Sequence, residues 1–275
     1  MSEITAADVA KLRKITGAGM MDCKTALGES NGDFEAAIEI LRKKGQKIAA
    51  KREDRDANEG VVLSGVSSNG KKAAIVCLNC ETDFVAKNAD FIALTKEFLQ
   101  ISLDQNPSDL ESLKALKYKD LTINDAVTEQ IGKIGEKIEL SYFEFVTSEQ
   151  VYSYIHPGNK LATIVAFNKA VPEQVGKDIA MQIAAMNPVS IDKDDCSKEI
   201  IEKEIEIGKD IARQEGKPEE MLEKIALGKL NKFYKENTLV NQDFVKDNKM
   251  TIRQYLDTAD KTVSIVSFKR FTLNR

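Results

Sequence analysis

Cys77 and Cys80 form the one C-x-x-C pair in the chain. In a cytosolic protein this spacing is typical of a thiol–disulfide redox site or of half a zinc site. The pair lies in a run that alternates like a strand, where residues three apart point to opposite faces, so the two thiols would diverge. A structural zinc site also needs about four ligands, whereas Cys23 and Cys196 stand alone and His156 is the single histidine. The pattern predicts reduced thiols, no metal and no redox chemistry.

Two further signals also point away from catalysis. A nucleophilic triad needs a histidine or another base beside the nucleophile, but His156 stands next to Pro157 in a predicted surface turn. The Gly17-Ala18-Gly19 turn lacks the Gly-Lys-Ser/Thr that completes a phosphate-binding loop. We therefore expect no enzyme activity, no cofactor and no nucleotide site in this chain.

The bulk properties indicate work on a protein partner. A chain of 275 residues is enough for about two domains. Its net charge of −4 disfavours a general nucleic-acid binder, because such proteins normally present a basic domain. The sequence has no apolar run of about 18 residues, and the start Met1–Thr5 lacks a basic segment followed by an apolar one. We expect a cytoplasmic protein without nucleic-acid or membrane contact.

The segment Asn79–Asn88 joins a strand-like run, Ala73–Leu78, to a helical repeat of apolar residues. It contains neither Gly nor Pro and places Phe84 directly after Asp83. In one interpretation Phe84 packs into the local core while Asp83 or Asn88 caps the helix. In the other, Asp83 and Phe84 protrude and become buried in a partner. Sequence physics alone leaves both open.

The first 55 residues predict a three-helix module of the ubiquitin-associated type. Thr5 with Asp8 resembles a capping box, and Asp33 is positioned to cap a third helix that ends at Gly45. The inward face of the first helix is predicted to be Val9, Leu12 and Ile15. Adjacent helix positions cannot both face a core, so one of Met20 and Met21 is expected to be buried and the other exposed. Such a small unit is expected to act as a docking module.

Two related halves follow. Asn69-Gly70 signals a hairpin between Val61–Leu63 and Ala73–Leu78, and His156–Asn159 signals a second one. Each hairpin is followed by a predicted helix, near residues 89–101 in the first half and 172–186 in the second. Further helices are predicted near 109–116 and 124–132, and strands near 138–145 and 262–272. We interpret the plan as an internal duplication.

Residues 188–227 carry 12 acidic and 7 basic side chains. A narrow apolar seam is spaced like a coiled coil, at Ile201, Ile205, Gly208 and Ala212. Gly216-Lys217-Pro218 then turns the chain, which predicts an antiparallel helical hairpin, with a separate helix after Gly228. Whether a neighbouring stripe meets a second copy or widens the seam stays open; it consists of Ile200, Ile207 and Ile211.

The predicted fold class is α+β: a three-helix module, then two antiparallel-sheet-plus-helix subdomains with an inserted coiled-coil hairpin. The predicted domains are 1–55, 56–146, 147–187 with 228–275, and the insertion 188–227.

The string Cys80–Asn88 resembles the signature loop of the elongation factor Ts family, and Leu12–Leu27 resembles the N-terminal signature of the same family. The resemblance implies a guanine-nucleotide exchange factor that releases GDP from elongation factor Tu. It further implies that Asp83 and Phe84 intrude near the magnesium and phosphate site of that GTPase. The implied partner-binding residues are Arg13, Met20, Met21, Thr82, Asp83, Phe84, Val85, Ile134, Gly135 and His156.

Three departures limit this resemblance. Pro157 follows His156 where members commonly have Gly, and Asp178 stands where some members have histidine. The sequence stops at Arg275 without the extra C-terminal helix that some members use against the GTPase. In some members the coiled-coil insertion contributes to subunit contacts, so a homodimer or a 2:2 complex through the C-terminal half stays open.

Two rival functions make different predictions. A scaffold that binds through its N-terminal module alone would need only residues 1–55 and would not use Phe84. A thiol oxidoreductase would need a lowered pKa at Cys77 or Cys80.

Overall fold

The computed structural model describes residues 4–273 of the chain. Arg275, after which no further C-terminal helix was expected, lies outside these residues. The described chain divides into two compact units, one made of residues 4–63 and 76–143 and the other of residues 64–75 and 144–273. Helices and small antiparallel sheets alternate in both, which confirms the α+β class. None of the described helices is long and apolar enough to cross a membrane.

The first unit begins with the helices α1 (Ala6–Thr16), α2 (Met20–Glu29) and α3 (Phe34–Arg52). The predicted capping box is confirmed, since the Asp8 amide donates to Thr5 Oγ1 and the Thr5 amide donates to Asp8 Oδ2. Asp33 caps α3 by accepting from the Ala36 amide at 3.0 Å. These local signals set where two of the three helices begin.

The apolar face of α1 differs from the prediction at its end. Val9 and Leu12 are buried, but Ile15 is 58% exposed. Two successive steps of three residues rotate a side chain about 120° away from the starting stripe on a helix of 3.6 residues per turn. The expectation that one of Met20 and Met21 is buried is also wrong, because they are 55% and 70% exposed. Cys23, Ala26 and Leu27 supply the buried face of α2 instead.

The third helix continues beyond Gly45, where it was predicted to end, and reaches Arg52. Gly45 is buried in the helix interior and lies against the backbone of Gly132. A glycine inside a helix costs about 1 kcal/mol relative to alanine. Here the missing side chain permits a close helix–helix contact, so the residue type marks packing rather than an end.

The first sheet has the strand order β1 (Glu59–Val66), β2 (Lys72–Cys80) and β5 (Ile138–Thr147). The central strand β2 is buried along its whole length, as expected for a strand with neighbours on both sides. A two-stranded ribbon, β3 (Lys117–Tyr118) with β4 (Leu121–Thr122), precedes the last helix of the unit. The helices between β2 and β5 are α4 (Asp83–Ala86), α5 (Ala89–Gln105), α6 (Leu110–Ala115) and α7 (Ile123–Ile134).

The second sheet has the same plan. β7 (Leu161–Phe167) is central and pairs antiparallel with β6 (Gln150–Ile155) and with β10 (Ile265–Thr272). Another ribbon, β8 (Asp243–Phe244) with β9 (Asp247–Thr251), leads into a helix, as β3 and β4 do in the first unit. The helices packed with this sheet are α8 (Glu173–Met186) and α11 (Ile252–Ala259). The matching strand order supports the interpretation as a duplication.

Along the chain, two α-helices lie between α8 and β8. They are α9 (Lys198–Gln214) and α10 (Glu219–Asn237), and they pack against each other. Gly208 of α9 lies against Ala226, where an added Cβ would come within 3.0 Å of the Ala226 Cα. α10 runs through Gly228 without a break, so the separate helix predicted after that residue is wrong. Open space surrounds Gly228, and a single glycine does not outweigh the packing of a long helix.

Candidate partner-binding site

The signature segment is more ordered than the predicted loop. Strand β2 runs to Cys80, and Thr82 caps the one-turn helix α4, accepting from the Val85 amide at 3.4 Å. Behind it Asn88 caps α5 by accepting from the amides of Asp90 and Phe91. The segment is therefore a short helical turn held between a central strand and a long helix.

Phe84 is 83% exposed at the tip of this turn. The alternative in which Phe84 packs into the local core does not hold in this structure. A ring this exposed buries little apolar surface within the chain itself, and buried aromatic rings are frequent anchors at interfaces. Val85 is half-buried and Ala86 is buried, so α4 is held on one side and presents Phe84 on the other.

Asp83 pairs with Lys87 one turn along, with Lys87 Nζ 2.6 Å from Asp83 Oδ2. The hydrogen bond to Asp83 raises the pKa of Lys87 above its ordinary value. Exposed pairs of this kind contribute little stability because water screens them. A partner can therefore replace Lys87 as the contact of Asp83 at small cost.

Two short segments hold each other behind this turn. The amide and the hydroxyl of Thr82 donate to the two carboxylate oxygens of Glu136, at 3.0 and 2.7 Å. In the opposite direction, the Lys137 amide donates to Glu81 Oε1 at 2.6 Å. We call these four residues the carboxylate clasp. It joins the residues before α4 to the residues after α7.

Two arginines reinforce the clasp. Arg52 at the end of α3 lies 2.9 Å from Glu81 Oε1, and Arg55 lies 3.1 Å from Glu81 Oε2. Burial alone would raise the pKa of Glu81, but the hydrogen bonds from the Lys137 amide, Arg55 and Arg52 outweigh it and lower that pKa. Glu81 is therefore held as a carboxylate that ties α3 to the signature segment.

Ile134 and Gly135 directly precede the clasp. Ile134 is the last residue of α7 and is exposed, and Gly135 ends that helix with φ of 79°. A non-glycine residue disfavours this conformation, which turns the chain sharply toward Glu136. The clasp thus fixes the two sequence-predicted segments, Thr82–Val85 and Ile134–Gly135, relative to each other within one unit.

The N-terminal candidates flank the turn between α1 and α2, with Arg13 in α1 and Met20 and Met21 at the start of α2. Arg13, Met20 and Met21 are all exposed. Gly17 in this turn is covered by the Lys133 side chain, whose Cδ would lie 3.2 Å from a Cβ at that position. The turn therefore contacts Lys133, the residue next to Ile134, within the same unit.

His156 belongs to the second unit. It is exposed in the turn between β6 and β7, where its Nδ1 lies 3.2 Å from the Tyr154 hydroxyl. Gly158 and Asn159 both have positive φ, with values of 92° and 55°. The turn is therefore built by these two residues, and Pro157 is accommodated next to an exposed imidazole.

The thiols are poorly suited to redox chemistry. Burial raises the pKa of Cys77 and of Cys80 to about 12. Their Sγ atoms have different acceptors, Asn79 Oδ1 and the Thr82 carbonyl. These values contradict the lowered pKa that an oxidoreductase requires. Within the described residues, no group of three or more His, Cys, Asp or Glu side chains could hold a metal ion.

Sequence reasoning missed the residues that support the site. It assigned no role to Glu81 or Glu136, nor to the two arginines. Ile15 adds an exposed apolar side chain at the end of α1 that the prediction had placed on the inward face. Thr82 lies 54 positions from Glu136, and the partners of Glu81 lie 26 to 56 positions from it, so no local pattern indicates these contacts.

Comparisons with known proteins match nearly the whole chain. A model of the family described as "Elongation factor TS" matches residues 81–275. Elongation factor Ts of Porphyromonas gingivalis is 56% identical over 272 residues, which cover 98% of this chain and 98% of the relative. The protein of the same name from Christiangramia forsetii is 52% identical over 99% of this chain and 100% of the relative. That of Bacteroides thetaiotaomicron is 42% identical over 98% of each.

Proposed function

Because the chain belongs to the elongation factor Ts family, we propose that it binds elongation factor Tu carrying GDP and promotes release of the GDP. In this mechanism Asp83 and Phe84 insert near the magnesium and phosphate site of the GTPase, after which GTP binds. The observation that carries the proposal is the 83% exposure of Phe84 on a turn that is itself anchored. The chain needs no nucleotide site, since the nucleotide belongs to the partner.

The energetics suit an aromatic wedge. A factor that binds the empty GTPase more tightly than the loaded one must weaken nucleotide binding by the same ratio. Each tenfold of weakening requires about 1.4 kcal/mol of differential contact energy. Burial of a phenylalanine side chain supplies about 1.5–3 kcal/mol, which corresponds to one or two powers of ten. The ring can therefore account for part of the exchange activity, and other contacts must supply the rest.

The remaining candidates supply those other contacts in the proposal. Arg13, Met20 and Met21 dock on the GTPase domain together with Ile134 and Gly135, while His156 contacts another domain of the partner. A factor with this function would act in the cytoplasm, where translation takes place.

The finer architecture stays part of the proposal. α1–α3 act as a ubiquitin-associated-like docking module and α9–α10 as a coiled-coil insertion, with subdomains divided at 55, 146, 187 and 227. Assembly into a homodimer or a 2:2 complex through the C-terminal half would add contacts to those of the single chain.

Release of a fluorescent GDP analogue from elongation factor Tu tests the proposal. We expect the chain to accelerate release strongly and Phe84→Ala to lower the acceleration about 10- to 100-fold. Leu227→Ala is the matched control, because Leu227 is also an exposed apolar side chain, on α10, and should leave the rate unchanged. No acceleration by the folded chain would contradict the exchange function, and equal rates for Phe84→Ala would contradict the wedge.

A further inference from the structure

The proposed partner contacts give no role to the two glutamates of the carboxylate clasp. Glu136 accepts two hydrogen bonds from one residue, the Thr82 amide and the Thr82 hydroxyl. The same Thr82 oxygen accepts from the Val85 amide and so begins the helix that presents Phe84. One carboxylate therefore holds the residue on which the turn depends.

Resting on the proposed exchange function, we infer that Glu136 is a positioning residue that sets the orientation of the Phe84 wedge through Thr82. Glu136 itself need not touch the partner. It would act by keeping the one-turn helix α4 formed in the free chain, so that the ring meets the GTPase already oriented.

The length of α4 makes such support necessary. Asp83–Ala86 is four residues long, and an isolated helix of that length is not stable, because nucleation fixes several residues for a single hydrogen bond. The turn must therefore be held from outside. Hydrogen bonds to a carboxylate are stronger than those between neutral groups. A bidentate carboxylate also fixes the direction of Thr82, which a single hydrogen bond would not.

The second contact of the clasp, between Glu81 and Lys137, involves the segment that follows Ile134 and Gly135. Glu81 precedes Thr82 and accepts from the Lys137 amide, which follows Glu136. Movement of the turn would thus also move Glu136 and Lys137, the residues that follow Gly135. Preorganisation of this kind raises affinity or rate by removing the ordering cost from the binding step.

The test measures release of the fluorescent GDP analogue over a range of factor concentrations, with the full chain. Glu136→Ala should lower the maximal release rate about tenfold. Glu136→Gln keeps an acceptor for the Thr82 amide and an amide group that can reach its hydroxyl, so it should retain most of the rate. Glu139→Ala is the matched control, since Glu139 is an exposed glutamate on β5 and should leave release unchanged.

A double-mutant cycle separates positioning from general damage. If Glu136 acts through the wedge, Glu136→Ala should change the rate less than about twofold when Phe84→Ala is already present. An equal loss in both backgrounds would show a merely structural role and overturn the inference. An unchanged rate for Glu136→Ala would also overturn it. If Glu136→Ala does not fold, Glu136→Asp, which is one methylene too short to hold both Thr82 groups, takes its place in the cycle.

These outcomes are distinct from failure of the proposed function. If the wild-type chain does not accelerate GDP release from elongation factor Tu, the proposed exchange function is wrong, and so is the inference that rests on it. If the wild-type chain releases GDP and Phe84→Ala is impaired while Glu136→Ala and Glu136→Asp are not, only the inference is wrong.

Discussion

Gly45 and Gly132 lie backbone to backbone, and a Cβ on Gly132 would come within 2.8 Å of the Gly45 Cα. The contact joins α3 to α7, the helix that ends at Ile134. Arg42 and Glu129 add an ion pair of 3.1 Å one turn away on the same two helices. The N-terminal helices are thereby packed onto the helix that leads into the clasp.

Gly132→Ala should destabilise the chain. The added methyl group meets a backbone atom that cannot move aside, and overpacking of this kind costs about 1–3 kcal/mol. Gly228→Ala is the matched control, because Gly228 is also inside a helix but has open space around it. That control should be neutral or stabilising by about 0.5–1 kcal/mol. Urea unfolding of both variants gives the comparison, and equal unfolding free energies would contradict the close approach.

The native thiols should react slowly with alkylating reagents. All four cysteines are buried, and burial holds the pKa of Cys77 and Cys80 near 12. At pH 8 only about one such thiol in 10⁴ is a thiolate, which is the reactive form. Alkylation followed by mass spectrometry should label none of the four quickly in the native chain and all four in denaturant. Phe84→Cys provides an exposed thiol that should react at once, and rapid labelling of native Cys80 would contradict the prediction.

The sequence alone predicted what local chemistry determines. Thr5 and Asp33 begin helices because their side chains accept hydrogen bonds from amides three residues on, so the partners are close in sequence. The central strands could be predicted as well, since their apolar runs and hairpin turns are local. The signature segment was identified by its order of residue types, which does not indicate the contacts that hold the segment in place.

Other features depend on partners far along the chain. The Thr82–Glu136 contact spans 54 positions, and neither residue type is unusual on a surface. Gly45 was interpreted as a helix end because glycine most often ends a helix, whereas its contact with Gly132 gives it a different role. For Phe84, burial tendencies favoured the local core and only the family resemblance favoured a protruding ring, whereas the structure exposes the ring on the one-turn helix.

Asp178 should make stability depend on pH. Burial alone would raise its pKa, but hydrogen bonds from Lys246, Tyr255 and Gln174 outweigh it and hold the pKa below 3.8. A lowered carboxylate pKa contributes stability that is present above the ordinary pKa and is lost as pH falls through the folded value. The difference in unfolding free energy between wild type and Asp178→Asn, about 1–3 kcal/mol at pH 6, should therefore shrink below pH ~4.

Urea unfolding at pH 6 and at pH 3.5 measures that difference. Asp257→Asn on α11 serves as the control, because Asp257 is exposed and its substitution should change the unfolding free energy by less than about 0.5 kcal/mol. The same difference for Asp178→Asn at both pH values would show that its hydrogen bonds do not favour the ionised form.

Met20 and Met21 should matter for binding and not for stability. They are 55% and 70% exposed on α2, beside the turn that Lys133 covers, so truncation removes no core contact. Surface substitutions of this kind change the unfolding free energy by less than about 0.5 kcal/mol. If both side chains become buried in elongation factor Tu, the double variant Met20→Ala/Met21→Ala should weaken binding by at least about tenfold. Met221→Ala, at a methionine 45% exposed on α10, should leave binding unchanged. Titration calorimetry with nucleotide-free elongation factor Tu measures both, and equal affinities for wild type and the double variant would remove α2 from the interface.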